Sequence, residues 1–155
     1  MAPCRMYWKK MPFTCEGEAQ GTPTWEIEYL TPPGIWPANG VQYDGDRRKG
    51  YIPDTPEGRE ILALLVKCFK RRLTLTLGNS VTRNQSNVII WNGVHHKSRT
   101  NRGAAHFGYP DPTYYERVKQ ELRLKQVVFK SDEERDDEID EVTTRVFMVQ
   151  VGDAR

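Results

Sequence analysis

Residues 51–77 read YIPDTPEGREILALLVKCFKRRLTLTL, and the order of signals in that stretch decides the fold. Thr55 carries a capping oxygen, Pro56 suits the first helical position, and Glu57 meets the positive end of the helix dipole. Ile61, Leu64, Leu65 and Cys68 recur at the spacing of one helical face, with Leu62 and Phe69 widening the stripe. Lys70, Arg71 and Arg72 close the helix where cations are favoured. Residues 73–77 then alternate strictly, so a strand follows with almost no loop.

Working outward, Val88, Ile89, Ile90 and Trp91 form a second strand, antiparallel to the first through a polar connection at 78–85. Upstream, Trp25, Ile27 and Tyr29 alternate with two glutamates, the pattern of a half-buried strand that Pro32, Pro33 and Gly34 end. Residues 35–50 read as loop, and Tyr51, Ile52 and Pro53 as a short edge strand. Residues 92–107 are polar, and a loop of that length inside a compact domain is usually functional. Asp111 and Pro112 open a second helix as cap and first residue, with Tyr115, Val118 and Leu122 as its apolar stripe. Val127, Val128 and Phe129 read as a short strand, and 142–151 as a terminal one. The expectation is a single compact α+β domain, a mostly antiparallel or mixed sheet with two main helices. Its parts are an irregular N-terminal segment at 1–20, the domain body at 21–130, an acidic linker at 131–141, and a terminal strand and tail at 142–155.

Composition narrows the function. The net charge of +2 over 155 residues hides a split, because residues 132–141 (DEERDDEIDE) hold eight acids and one base. The remaining body carries about nine net positive charges, which suits an anionic ligand. Three cysteines with no Cys-x-x-Cys pair make neither a disulfide framework nor a zinc site. No apolar run is long enough for a membrane helix and no secretory signal opens the chain, so a reducing cytoplasmic or nuclear setting is expected. Dinucleotide-binding glycine fingerprints, Walker loops and nucleophile elbows are absent. His95 and His96 are adjacent, so on an extended segment they point to opposite faces and do not share a metal.

Two loops concentrate the remaining chemistry. Gly78, Asn79, Ser80 and Thr82 offer backbone N–H groups and hydroxyls suited to phosphate oxygens. Trp91 and Asn92 lead into His95, while Phe107, Tyr109, Tyr114 and Tyr115 offer aromatic surface for a base or ribose. Glu121 lies on the second helix, and a carboxylate with an imidazole can polarise a ribose hydroxyl. Each residue also has a plainer role: packing for the tyrosines, a core hydrogen bond for His95, a surface charge for Glu121.

Four segments lift this pattern out of anonymity: PPGI (32–35), GYIPDTPEGREILALLVKCFKRRLTLTLGNSVT (50–82), NVIIWNGVHHK (87–97) and FGYPDPTYYERVKQEL (107–122). Together they closely resemble the Deltex C-terminal domain, the ligand-binding module at the end of Deltex E3 ubiquitin ligases. The resemblance implies a cleft for ADP-ribose and NAD as ligands, with no tightly bound cofactor. It implies as partners ADP-ribosylated proteins, a RING domain and E2-linked ubiquitin. It implies no membrane, and nucleic acid only through ADP-ribosylated ends. It places the pocket histidine on His95 and the catalytic glutamate on Glu121, so His95 and Glu121 are the candidate catalytic pair. The candidate ADP-ribose contacts are Gly78, Asn79, Ser80, Thr82, Trp91, Asn92, His95, Phe107, Tyr109, Tyr115 and Glu121.

Two departures matter. Many Deltex proteins have a second histidine where this chain has Phe107; the wording is closer to the Deltex-3-like branch, where an aromatic stands there. Phe107 can stack or close a pocket but cannot move a proton. Three cysteines and three histidines also cannot supply the eight ligands of a RING, so this chain is not expected to transfer ubiquitin unaided. The leading expectation is a reader that recruits ADP-ribosylated substrates, or ADP-ribose itself, for a RING ligase. The alternatives are the catalytic half of ubiquitin transfer to an ADP-ribose hydroxyl, and a protein-interaction module that has lost its ligand.

Overall fold

A computed structural model describes residues 3–35, 40, 42–80, 85–128 and 144–150, with backbone alone at positions 3, 43, 77–80, 85–90 and 144–150. The expected acidic linker at 131–141, Thr82 and Phe129 lie outside the described residues. Among those residues the chain runs β1 (Pro3–Met11), β2 (Thr24–Thr31), β3 (Gly34–Ile35), β4 (Gln42–Tyr43), β5 (Asp46–Pro53) and α1 (Pro56–Lys70). It continues through β6 (Leu75–Ser80), β7 (Gln85–Trp91), a 3-10 turn at Ala104–His106, α2 (Tyr114–Leu124) and β8 (Thr144–Gln150). The main sheet is antiparallel in the order β5-β2-β1-β8, with two small ladders, β3-β4 and β6-β7. The fold is α+β with two main helices, as the order of sequence signals implied.

The N-terminal segment corrects the sequence reading. Residues 1–20 read as irregular, yet β1 is an inner strand of the sheet. Cys4, Met6 and Trp8 face the core, at most 1% exposed, while Arg5 is exposed and Tyr7 and Lys9 are half-exposed. That is the two-residue period of a strand, and Pro3 and Pro12 fall at its start and just past its end, where proline is tolerated.

Other boundaries also move. The edge strand is longer than Tyr51–Pro53, because β5 begins at Asp46 inside the stretch read as loop. Gly78 and Ser80 belong to the β6-β7 ladder, paired with Val88 and Gln85 across an irregular register, so the polar connection is shorter than read. Val127 and Val128 are not a strand; the Val127 N–H returns to the Leu122 carbonyl at 2.9 Å and ends α2.

The capping signals of α1 are met in full. Thr55 Oγ accepts the Gly58 N–H at 3.0 Å, and Pro56 opens the first turn. Every residue from Ile61 to Phe69 is buried, so the helix is covered on all sides instead of showing one apolar stripe. Asp54 ties this start to the sheet. It pairs with Arg59 at 2.6 Å and Lys10 at 3.2 Å and accepts the Trp25 indole N–H at 2.9 Å. Burial raises the Asp54 carboxyl, but these donors outweigh it and hold the pKa below the usual carboxylate value.

The adjacent histidines divide as alternation requires. His95 is exposed, and His96 is buried at 7%. His96 stacks on Trp91 at 4.1 Å with nearly parallel rings, and Tyr29 meets both rings edge-on at 5.2 and 5.4 Å. A carbonyl can only accept, so His96 Nδ1 donates to Val94 O at 3.0 Å, and Nε2 accepts the Tyr29 hydroxyl proton at 2.7 Å. Gly50 makes room, since a Cβ there would lie 3.0 Å from the His96 ring. Burial lowers the His96 pKa to about 4; the Val94 carbonyl opposes the shift, and the charges of His95 and Arg48 add to it. A folded pKa below the unfolded 6.5 means that the unfolded chain takes up the proton first as pH falls. The stability that neutral His96 contributes is therefore complete above pH 6.5 and is lost as pH drops toward 4, by up to about 3 kcal/mol. An NMR titration should show the His96 ring unprotonated at pH 5.5, with urea stability declining below pH 6.5; a ring titrating near 6.5 contradicts this account.

Candidate functional site

The segment from Gly93 to Lys97 runs along one face of α2, and α2 holds it by side chains spaced two turns apart. The Tyr114 hydroxyl donates to the His95 carbonyl at 2.8 Å. Seven residues later, Glu121 Oε1 accepts the His95 backbone N–H at 3.0 Å. Glu121 Oε2 meets His95 Nδ1 in a second, short contact. Both backbone polar groups of His95 and one ring nitrogen are thus fixed from the same helix face.

The chemistry follows from that geometry. A carboxylate accepts, so Nδ1 carries the proton toward Glu121 and the imidazole presents Nε2 outward. The His95 side chain is 67% exposed, that of Glu121 24%. Among the described residues, Nε2 has no protein partner. A carboxylate that orients an imidazole whose far nitrogen faces a ligand is the arrangement of a general base. Glu121 touches His95 with both oxygens, which makes it the positioning residue of the pair.

A buried ion pair anchors the same loop two residues on. Lys97 Nζ lies 2.5 Å from Asp111 Oδ2, with the two side chains 7% and 3% exposed. The ammonium also sits 5.1 Å from the Tyr114 ring centre. Arg117 from the first turn of α2 joins the same carboxylate oxygen. Burial raises the Asp111 carboxyl, but the hydrogen bonds and charges of Lys97 and Arg117 lower it further than burial lifts it. This explains a correction to the helix start. Asp111 was expected to cap at Pro112, but α2 begins at Tyr114 and Asp111 instead accepts from the Thr113 N–H and hydroxyl at 3.3 and 3.2 Å.

The remaining candidates divide. Trp91 stacks on His96, and the Arg48 guanidinium lies over its ring, 5.1 Å from the centre. Asn92 is half-buried with its amide on the Leu73 carbonyl at 3.2 Å, so it fixes the exit of β7. Tyr109 is buried with its hydroxyl on the Tyr51 carbonyl at 2.8 Å, and Tyr115 is partly buried beside Tyr114. Burial raises the pKa of both phenols; Tyr114 and Tyr115 add to the shift at Tyr109, and Glu18 adds to it at Tyr115. Phe107 is 63% exposed and left-handed at φ 60°, held by the turn through its carbonyl to Arg99 N at 3.2 Å. Gly78, Asn79 and Ser80 lie in β6, and Thr82 is outside the described residues. The structure therefore brings His95 and Glu121 together and gives Trp91, Asn92 and Tyr109 structural partners.

Sequence reasoning missed Lys97 and Asp111 as parts of the site, and it gave Tyr114 a stacking role in place of its hydrogen bond to the His95 carbonyl. The signal for Tyr114 was its seven-residue spacing from Glu121, which puts both on one helix face. Beyond Lys97, an open groove of about 280 Å³ is lined by Phe13, Tyr51, Ser98, Arg99, Thr100 and Asn101. Replacing Asp111 by Asn should leave the buried Lys97 uncompensated and cost about 3 kcal/mol. Urea unfolding measures this, and a loss under 1 kcal/mol contradicts the anchoring role.

Comparison with known proteins agrees with the geometry. Residues 1–127 match the family model of the Deltex C-terminal domain, which takes β1 into the domain and leaves β8 beyond the match. The chain is 50% identical over 103 residues to the human protein named probable E3 ubiquitin-protein ligase DTX3, covering 64% of this chain and 30% of that one. It is 35% identical over 126 residues to mouse E3 ubiquitin-protein ligase DTX4, covering 77% and 20%. It is 34% identical over 131 residues to mouse E3 ubiquitin-protein ligase DTX1, covering 81% and 21%. The chain thus spans less than a third of the length of these relatives. With the HHK, PDP and helix-borne glutamate of the motif set found as one hydrogen-bonded assembly, the chain belongs to the Deltex C-terminal domain family.

Proposed function

We propose that this domain binds ADP-ribose, free, within NAD or attached to protein, and presents it for ubiquitination by a RING-bearing ligase. The observation that carries the reading is the His95–Glu121 pair: an imidazole oriented from behind, its other nitrogen open to a hydroxyl-bearing ligand. The relatives named as E3 ubiquitin-protein ligases support the ubiquitination context. The basic body, about nine net positive charges outside 132–141, suits a ligand that carries a diphosphate. Removing the imidazole takes away a hydrogen bond to the ligand, so His95→Ala should weaken ADP-ribose binding about tenfold. Calorimetry on folded protein tests this. Absence of heat from the unaltered chain at millimolar ADP-ribose removes the reading.

The open Nε2 favours a second reading, catalysis of ubiquitin transfer to a ribose hydroxyl. The hydroxyl oxygen attacks the thioester carbonyl that links ubiquitin to the E2 cysteine. A C–O bond forms, the C–S bond breaks, and the hydroxyl proton passes to His95 Nε2 and on to the departing thiolate. Glu121 keeps Nδ1 protonated, so that Nε2 is the nitrogen that accepts. Phe107 takes no part in proton movement. Glu121→Gln presents an amide where the ring needs an acceptor. In a reaction containing a Deltex-type RING, E1, E2, ubiquitin, ATP and ADP-ribose, it should lower ADP-ribose–ubiquitin product about 100-fold. ADP-ribose affinity should change far less; equal product from both forms rules the catalytic reading out.

A further inference from the structure

The α2 face that holds His95 carries another polar side chain one turn on. Lys125 caps the C-terminal end of the helix, four residues beyond Glu121, and is only partly exposed. Among the described residues, its Nζ makes no hydrogen bond or ion pair. The carboxylate one turn back, Glu121, is committed to His95. Two neighbouring cations have acceptors: Arg71 donates to Gln126 O at 2.8 Å, and Lys67 to Val128 O at 2.5 Å.

Lys125 instead folds back over the loop that leads into His95. A Cβ built on Gly93 would lie 3.7 Å from the ammonium nitrogen. Gly93 has φ +79°, a conformation side chains avoid, so bare backbone lies beneath the cation. A partly desolvated ammonium beside bare backbone, with no carboxylate partner among the described residues, is better satisfied by an anion than by water alone.

We propose that Lys125 over Gly93 is an anion subsite that takes the diphosphate of the nucleotide while the ribose hydroxyl lies at His95. The identity of the ligand rests on the ADP-ribose reading; the anion subsite does not. The spacing fits. Glu121 to Lys125 is about 6 Å along the helix axis, and Gly93 to His95 is at most about 7 Å of extended chain, so one ribose bridges the two points. The ligand then lies along α2, with the ribose toward Glu121 and the phosphates toward the helix C-terminus. Lys125 would otherwise serve the helix dipole, but its Nζ bonds none of the terminal carbonyls among the described residues. The competing place for the phosphates is Arg99, in the groove beyond Lys97.

The test uses inorganic pyrophosphate first and ADP-ribose second, on the full chain. Amide NMR should show pyrophosphate shifts concentrated at Gly93 and Lys125, lost in Lys125→Gln and recovered in Lys125→Arg, with the spectra also reporting that each variant is folded. Calorimetry at two salt concentrations should show Lys125→Gln about tenfold weaker for ADP-ribose and less sensitive to salt, with Arg99→Gln within twofold of the unaltered chain. Pyrophosphate shifts unchanged in Lys125→Gln overturn the proposal, whatever that variant does to melting temperature. So does loss of affinity in Arg99→Gln with none in Lys125→Gln. Pyrophosphate shifts at Gly93 without ADP-ribose binding keep the subsite and remove the nucleotide reading.

Discussion

The hydrogen bond from the Tyr29 hydroxyl to His96 Nε2 is the constraint on which the rest of the site depends. It joins the middle of the sheet to a loop with no secondary structure of its own. The bond fixes one end of the His96 ring, Val94 fixes the other, and Trp91 covers its face. A ring held on three sides leaves the backbone little freedom, and in an extended segment the next residue must face the other way. His95 is therefore aimed outward because His96 is nailed inward. The close approach needs a glycine on β5, and Gly50 supplies it.

Helix α2 then reads the outward residue. Tyr114 and Glu121 occupy one face two turns apart and grip the carbonyl and N–H of His95. The sheet sets the direction of the loop through His96, and the helix sets its rotation through His95. Lys97 and Asp111 stop the loop from sliding along the helix, since a shift of one residue would separate a buried charge pair. Sheet and helix, joined by a loop three residues deep, together define where Nε2 points.

Much of this was legible in the sequence, for identifiable reasons. The α1 boundaries carried local chemistry at Thr55, Pro56 and the closing cations, and local chemistry does not wait on tertiary structure. The opposite facing of His95 and His96 followed from alternation alone. The inner strand β1 did not stand out because its alternation is written in Cys4, Met6 and Trp8 among charged neighbours, with prolines at both ends. The α2 start was misplaced because Asp111 looks like a cap, and only the fold brings Lys97 and Arg117 to claim its carboxylate. Trp91 and Asn92 looked available for a ligand because sequence shows residue type, not which faces of a ring or amide neighbours already occupy. Tyr114 and Lys125 needed α2 to be laid against the loop before their spacing from Glu121 acquired meaning.

Burial separates what holds the fold from what does chemistry. Two side-chain pairs lie two residues apart on one loop, and their environments differ sharply. Lys97 and Asp111 are almost wholly desolvated, so losing Asp111 strands the Lys97 charge, at several kcal/mol. His95 is two-thirds exposed, and pairs of that kind contribute about 0–1 kcal/mol in water. The His95–Glu121 contact therefore adds little to stability, although it uses both oxygens of Glu121 and a helix position that an apolar residue could fill. A contact so weak in stability and so definite in geometry is best explained by what it orients. The same asymmetry makes His95 open to substitution without collapse of the domain, while His96, its neighbour in the chain, is not.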